Sequence, residues 1–140
     1  MSTLPSDYAE LKKIALLARK NAYVPYSRFA VGAAVETESG KIYTGCNVEN
    51  SSLGLTNCAE RTAIFNAVSA GEFALLRVAV VADTPGPISP CGACRQVMQE
   101  FGIKEIVMFS TSGETKVVQL AELLPYAFGP EQMKGAGVHE

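Results

Sequence analysis

The sequence is organised around two short stretches, Cys58-Ala59-Glu60 and, further along the chain, Pro90-Cys91-Gly92-Ala93-Cys94. Together they supply three thiols and one carboxylate. Zinc binds cysteine thiolates readily, and a catalytic zinc site uses three protein ligands, so that the fourth tetrahedral position stays open for water. The two stretches therefore predict a zinc site with three sulfur ligands and Glu60 beside it.

Both cysteine stretches are predicted to open helices. One helix is expected over residues 58–70, apolar on most of its circumference and ended by Gly71, and the other over residues 90–101, with Pro90 at its first position. The unpaired N–H groups and the positive dipole end of a helix stabilise thiolate, the form that binds metal. Because Glu60 is only two residues from Cys58, the cysteine is expected at the helix cap, with Glu60 approaching the site from another side.

The remaining pattern surrounds these helices with strands. A first helix, capped by Ser6 and ending near residue 21, is followed by predicted strands over residues 29–35, 42–46, 78–82, 106–109 and 116–118. The first strand is almost unbroken in apolar and small residues, which is typical of a strand covered on both faces. Strands that alternate with helices imply parallel crossovers. The prediction is one domain over residues 1–140, an α/β fold with three α/β/α layers and a mixed five-stranded sheet.

Composition narrows the class of function. The 140-residue chain has a net charge of −2, so it lacks the basic field that attracts proteins to nucleic acid. Charged residues make up 19%, against about 25% in ordinary soluble domains, which indicates surface buried between subunits. No apolar run is long enough to span a membrane, and no basic segment precedes an apolar one near the N-terminus. We expect a cytoplasmic protein with no nucleic-acid or membrane partner.

The four cysteines leave alternatives open. Disulfides are possible in principle, but a reducing compartment favours metal binding. A structural zinc site would need Cys46 as a fourth ligand; otherwise Cys46 is a small buried apolar residue. Glu60 could also be a solvated carboxylate that only stabilises a helix start.

Several longer stretches resemble the cytidine deaminase family, specifically its small type, found as tetramers of short chains. The resemblance covers nearly the whole chain. It rests on residues 29–34 (Phe-Ala-Val-Gly-Ala-Ala), 45–50 (Gly-Cys-Asn-Val-Glu-Asn), 58–63 (Cys-Ala-Glu-Arg-Thr-Ala), 89–96 (Ser-Pro-Cys-Gly-Ala-Cys-Arg-Gln) and the segment from Leu123-Leu124-Pro125 through Phe128. The fold is therefore expected to be cytidine deaminase-like.

The resemblance implies a chemistry for the two central stretches. Cys58, Cys91 and Cys94 would hold Zn²⁺, which lowers the pKa of its water for attack on C4 of cytosine. Glu60 would take the water proton, pass it to ring N3 and protonate the departing amine. The products would be uridine or 2′-deoxyuridine and ammonia, as in pyrimidine salvage.

The same resemblance assigns the substrate contacts. It places Asn47 and Glu49 on the ribose hydroxyls, Phe29 against the pyrimidine face and Ala59 among the substrate-binding residues. A buried carboxylate suits a hydroxyl and repels a 3′-phosphate, so a free nucleoside is the expected substrate.

Three further positions follow from the family pattern. Arg61 would donate hydrogen bonds to ligand sulfurs and offset the negative charge of three thiolates on one Zn²⁺. Phe128 would enter the site of a neighbouring subunit in a homotetramer. Leu53 departs from the pattern, since many relatives have a tyrosine there that reaches an adjacent subunit's site.

Less specific interpretations remain for these residues. Taken alone, Arg61 could be a surface ion-pair partner, and Phe29 and Phe128 could be core residues. For the whole protein, the alternatives are a deaminase of another small aminopyrimidine nucleoside, which Leu53 keeps open, and a catalytically silent zinc module that acts through protein contacts.

Overall fold

The computed structural model describes residues 4–135, and within them one mixed sheet forms the centre of the fold. Its strands are β1 (Val31–Thr37), β2 (Ile42–Cys46), β3 (Leu75–Ala82), β4 (Glu105–Ser110) and β5 (Thr115–Gln119). The helices are α1 (Leu4–Arg19), α2 (Ala59–Ser69), α3 (Gly92–Glu100), α4 (Leu120–Leu123) and α5 (Pro130–Gly135), with a short 3-10 helix at Leu53–Leu55. In this described part of the chain, no helix is both long and apolar enough to cross a bilayer.

The strand order is β2-β1-β3-β4-β5. Strand β1 is antiparallel to both β2 and β3, β3 is parallel to β4, and β4 is antiparallel to β5. Strands β2 and β3 therefore run in the same direction, so the connections through α2 and α3 both join parallel strands. The predicted mixed five-stranded sheet with hairpins at its margins is confirmed.

The helices lie on both faces of the sheet. Leu11 and Ala15 of α1 pack on one face, in a cluster with Ala34 of β1. The other face carries α2 and α3, in a cluster that includes Ala33 and Val35 of the same strand. Successive residues of a strand point to opposite faces, so β1 is apolar throughout because it is covered on both sides. This is the predicted three-layer arrangement.

Two glycines allow close contact between the sheet and its helices. A Cβ at Gly45 of β2 would lie 2.3 Å from the Ala63 backbone nitrogen of α2, and one at Gly32 of β1 would lie 2.3 Å from the Ala15 carbonyl oxygen of α1. Neither distance is possible for a real side chain. The Gly45 contact sets how closely α2, the helix behind Cys58, lies against the sheet.

Some predicted boundaries are wrong. Helix α1 begins at Leu4, so Ser6 lies inside it rather than capping it. Helix α3 begins at Gly92, so Pro90 precedes the helix instead of opening it. The reason is that Cys91 has an extended backbone, with φ of −72° and ψ of 169°, and itself takes the cap position.

Candidate metal centre

The three predicted sulfur ligands lie together. The Sγ atoms of Cys58, Cys91 and Cys94 are all within 4.8 Å of one another, and those of Cys58 and Cys91 are 3.8 Å apart. Two sulfurs bound tetrahedrally to zinc at about 2.3 Å each are separated by about 3.8 Å, so the spacing fits this ion. Cys46 is not part of this group within residues 4–135, and all four cysteines are free thiols. The four-cysteine structural site and the disulfide alternatives are therefore not supported.

Two helix starts point at the sulfur cluster. Cys58 is the N-cap of α2 and Cys91 is the N-cap of α3, both in extended conformation, and Cys94 lies in the first turn of α3. The expected cap position of Cys58 is confirmed. Neither cap sulfur makes the capping hydrogen bond to the first turn of its helix, so that bond does not occupy the thiols. The unpaired N–H groups and the dipole ends of both helices favour negative charge at the cluster.

Arg61 supports the anionic form of the Cys58 sulfur. Its Nη2 donates a hydrogen bond to Cys58 Sγ at 3.2 Å. A hydrogen bond from Cys94, together with the hydrogen bond and charge of Arg61, lowers the pKa of Cys58 to about 5, and the same sulfur–sulfur bond raises the pKa of Cys94. Arg61 is thus a partner of the ligands and not a surface ion-pair residue. Its Nε is buried without a hydrogen-bond partner in the described residues.

Glu60 is a buried carboxyl group beside the cluster. It is only 4% exposed, and burial raises its pKa to about 7. A group with this pKa can both accept and return a proton near neutral pH, which is what acid–base catalysis requires. The interpretation of Glu60 as a solvated carboxylate at a helix start is therefore wrong.

A pocket of about 240 Å³ opens at the cluster. It is lined by Phe29, Val31, Asn47, Thr56, Cys58, Ala59, Glu60, Ile88, Ser89 and Cys91. A larger cavity of about 500 Å³ beside α4 includes none of the predicted site residues, so it is not the candidate site. The smaller pocket joins a buried carboxyl, potential metal ligands and an aromatic wall in one concave site.

Of the three residues predicted to contact the base and the ribose, Phe29 and Asn47 line the pocket and Glu49 does not. Phe29 is 42% exposed, so the core interpretation is wrong for this residue. The Asn47 side chain accepts a hydrogen bond from the Val31 N–H at 2.9 Å and donates one to the Phe29 carbonyl at 2.8 Å. Glu49 is buried next to this wall but does not line the pocket. A hydrogen bond from the Ser27 hydroxyl, then the N–H groups of residues 26 and 27, hold its pKa below the ordinary value.

Phe128 lies outside the pocket of its own chain. It is 57% exposed, and its carbonyl accepts a hydrogen bond from Gln96 Nε2 of α3 at 2.8 Å. The core interpretation is therefore wrong for Phe128 as well. Leu53 is 70% exposed at the start of the short 3-10 helix and also does not line the pocket.

Three residues that the sequence analysis did not single out form hydrogen bonds at or next to the cysteines of the cluster. Arg95 Nε donates to the Pro90 carbonyl at 2.8 Å, directly before Cys91. The Thr62 hydroxyl donates to the Cys58 carbonyl at 3.0 Å and accepts from Asn57 Nδ2 at 2.9 Å. Arg95 follows Cys94 in the motif, but only the fold reveals which carbonyl each side chain meets.

Comparison with known proteins agrees with this geometry. The family model described as the cytidine and deoxycytidylate deaminase zinc-binding region matches residues 5–110. A curated cytidine deaminase from Sporosarcina psychrophila is 53% identical over 130 residues, which cover 91% of this chain and 93% of the relative. A second, from Halalkalibacterium halodurans, is 50% identical over 129 residues, with 91% and 98% of the two chains covered.

Solved structures show the same relationship. The crystal structure of cytidine deaminase from Burkholderia pseudomallei superposes with a TM-score of 0.84 at 51% identity, covering 86% of this chain and 98% of that one. The enzyme from Mycobacterium tuberculosis gives a TM-score of 0.77 at 45% identity, covering 88% and 98%. The sequence and the fold match cytidine deaminases over most of this chain, and its three clustered sulfurs have the spacing that zinc requires. This chain therefore belongs to the zinc-binding cytidine deaminase family.

Proposed function

We propose that the protein hydrolyses cytidine and 2′-deoxycytidine to uridine and 2′-deoxyuridine with release of ammonia. The observation that carries this proposal is the position of Glu60, a buried carboxyl in a small pocket beside three clustered sulfurs. A purely structural zinc site has no need for a buried acid next to it.

The positions of the side chains support the roles that the family resemblance implies. Cys58, Cys91 and Cys94 would hold Zn²⁺, which when bound lowers the pKa of a water molecule and so makes it nucleophilic near neutral pH. Glu60 takes one proton from the attacking water and delivers it to ring N3; it then takes the second proton from the new C4 hydroxyl and delivers it to the exocyclic amine. A C4–O bond forms and the C4–N bond breaks, so the balanced products are the uracil nucleoside and ammonia. Arg61 favours the anionic form of Cys58 through its hydrogen bond to Sγ.

The substrate contacts remain assigned to Phe29, Asn47, Glu49 and Ala59. Phe29 offers an exposed ring at the pocket wall, and Ala59 lies fully buried at the first turn of α2, where its backbone borders the pocket. The lowered pKa of Glu49 keeps this carboxylate ionised, which favours a ribose hydroxyl and disfavours a phosphate. Comparable turnover of cytidine 3′-monophosphate and cytidine would contradict this assignment.

The main experiment measures zinc content and cytidine turnover on the same sample. We expect about one zinc per chain, loss of turnover after chelation, and recovery on adding zinc. Full activity in metal-free protein would refute the proposed function. A sample that binds zinc but turns over no nucleoside would instead favour the silent zinc module.

A homotetramer is the proposed assembly, with Phe128 completing the site of a neighbouring subunit. The exposed ring outside its own pocket supports this arrangement. Mixed tetramers test it: subunits with Glu60→Gln supply an intact Phe128, and subunits with Phe128→Ala supply an intact Glu60. We expect co-assembly to restore activity that neither variant has alone. Lack of restoration in confirmed mixed tetramers would place Phe128 outside the neighbouring site.

Leu53 keeps a second substrate class open, because the chain departs there from the common family pattern. A panel of aminopyrimidine nucleosides distinguishes the two substrate classes, and a higher kcat/KM for another nucleoside than for cytidine would favour the alternative.

We further propose that residues 1–140 form one domain, that the protein acts in the cytoplasm in pyrimidine salvage, and that it binds neither nucleic acid nor membrane. The net charge of −2 supports the exclusion of nucleic acid.

A further inference from the structure

The segment that carries Phe29 is held by one glutamate and one serine. Glu49 Oε1 accepts hydrogen bonds from the N–H groups of Tyr26 at 2.9 Å and Ser27 at 3.2 Å. The Ser27 hydroxyl donates to Glu49 Oε2, and Ser27 Oγ accepts a hydrogen bond from the Phe29 N–H at 3.0 Å. The Ser27 side chain therefore links Glu49, a proposed ribose ligand, to the backbone of Phe29 in the aromatic wall.

The backbone between these contacts is strained. Arg28 has φ of 61°, in the left-handed region that side chains other than glycine rarely adopt. A residue in this conformation persists only where the surrounding contacts fix it. Here the Arg28 N–H donates to the Val24 carbonyl at 3.0 Å, Ser27 is bonded to Glu49 on one side, and the Phe29 carbonyl is bonded to Asn47 on the other.

The acceptor capacity of Glu49 limits how it can meet a ligand. A carboxylate has about four acceptor positions, and three of them are used by Tyr26 and Ser27. About one position remains for a ribose hydroxyl, and its direction depends on where the Ser27 hydroxyl holds Oε2. Removing this hydroxyl frees the carboxylate to rotate and loosens the Phe29 N–H together with it.

We infer that Ser27 is a positioning residue for nucleoside recognition, which orients Glu49 toward the ribose and Phe29 toward the base through one hydroxyl. The inference rests on the proposed function, because it assumes that Glu49 and Phe29 contact the substrate. Within residues 4–135 the Ser27 hydroxyl bonds to Glu49 and to the Phe29 N–H, and not to Glu60 or a cysteine. Its effect therefore belongs to binding and not to proton transfer.

The test compares Ser27→Ala with Ser27→Thr in the zinc-loaded protein. Ser27→Ala removes a hydrogen bond to the Glu49 carboxylate and one from the Phe29 backbone. We therefore expect KM for cytidine to rise about ten-fold and kcat to change less than about two-fold. The inhibition constant of the product uridine should rise by the same factor, because it reports ribose and base contacts without turnover. Ser27→Thr keeps the hydroxyl and should restore most of the affinity.

Ser39→Ala is the matched control. The Ser39 hydroxyl also donates to a glutamate, Glu72 Oε1 at 3.2 Å, but at the turn between β1 and β2 at the far end of the strand. We expect unchanged KM and uridine inhibition in this variant. If the wild-type protein deaminates cytidine but Ser27→Ala leaves KM and uridine inhibition unchanged, the inferred role of Ser27 is wrong and the proposed function still stands. If the wild-type protein has no cytidine turnover, the proposed function fails first and the inference fails with it.

Discussion

Arg61 donates a hydrogen bond from Nη2 to Sγ of Cys58, the residue that caps the helix on which Arg61 itself lies. One helical turn thus supplies a metal ligand, an acid at position 60 and a cation that stabilises the ligand. Three thiolates on one Zn²⁺ leave a net charge of −1, which opposes deprotonation of a bound water. A guanidinium hydrogen-bonded to one sulfur withdraws part of this charge.

Removing the Arg61 side chain should weaken metal binding. In Arg61→Ala we expect zinc affinity to fall by about 10–100-fold, because the pKa of Cys58 rises and zinc must then displace a proton. Competition with a chromogenic chelator measures the affinity. Arg61→Lys should recover only part of it, since an ammonium lacks the planar fork. Lys20→Ala, at the exposed turn position directly after α1, is the control. Unchanged affinity across the series would remove this role from Arg61.

Replacing the acid should separate metal binding from catalysis. Glu60→Gln keeps size and burial but cannot carry a proton, so we expect kcat to fall by about 10²-fold or more while zinc content stays near that of the wild-type protein. Elemental analysis and a spectrophotometric assay on one preparation give both values. Glu38→Gln, on the exposed turn after β1, should behave as wild type. Retained turnover in Glu60→Gln would exclude the proposed proton transfer.

Glu49 should make folding stability depend on acid pH. Its pKa is lowered in the folded state, first by the Ser27 hydroxyl. Its stabilising contribution is therefore present above the ordinary carboxyl pKa of 4.5 and is lost as the pH falls through the lower folded value. Urea unfolding of the wild-type protein and of Glu49→Gln between pH 3 and pH 7 should show a difference in unfolding free energy that shrinks toward acid. A difference independent of pH would show that the carboxylate is not held in its ionised form.

Gly45→Ala should displace α2, and Cys58 with it, although Gly45 itself does not line the pocket. The added Cβ would meet the backbone of α2 at Ala63 and Ala59, neither of which can yield as a flexible side chain would. We expect destabilisation of about 1–3 kcal/mol or more, together with weaker zinc binding, because α2 and its cap Cys58 must shift away from β2. Chemical denaturation and metal titration measure the two effects. Gly86→Ala is the control, since nothing lies within 4 Å of its added carbon. Equal stability of both variants would contradict the close contact.

The local chemistry of this protein could be read from its sequence because it depends on short spacings. A single helical turn separates Cys91 from Cys94, and a cap followed by a first turn relates Cys58 to Glu60 and Arg61, so neighbours in the chain are necessarily neighbours in space. The alternation of strands and helices likewise predicted the mixed sheet, and the nearly unbroken run of apolar and small residues predicted that β1 is covered on both faces. The boundaries were less accurate, as at Pro90, because a cysteine with extended backbone competes for the same cap position.

The contacts between distant segments were decided only by the tertiary structure. No local rule connects Ser27 with Glu49, Asn47 with Phe29, or Gly45 with Ala63, because each pair meets only after the sheet has brought its strands and loops together. The sequence by itself determined which atoms can bind zinc and carry a proton, since that depends on residue type and on spacing within one turn. Packing of α2 and α3 on the same face of the sheet decided that the two cysteine stretches form one site, because burial of apolar helix surfaces places both helix starts at the same edge.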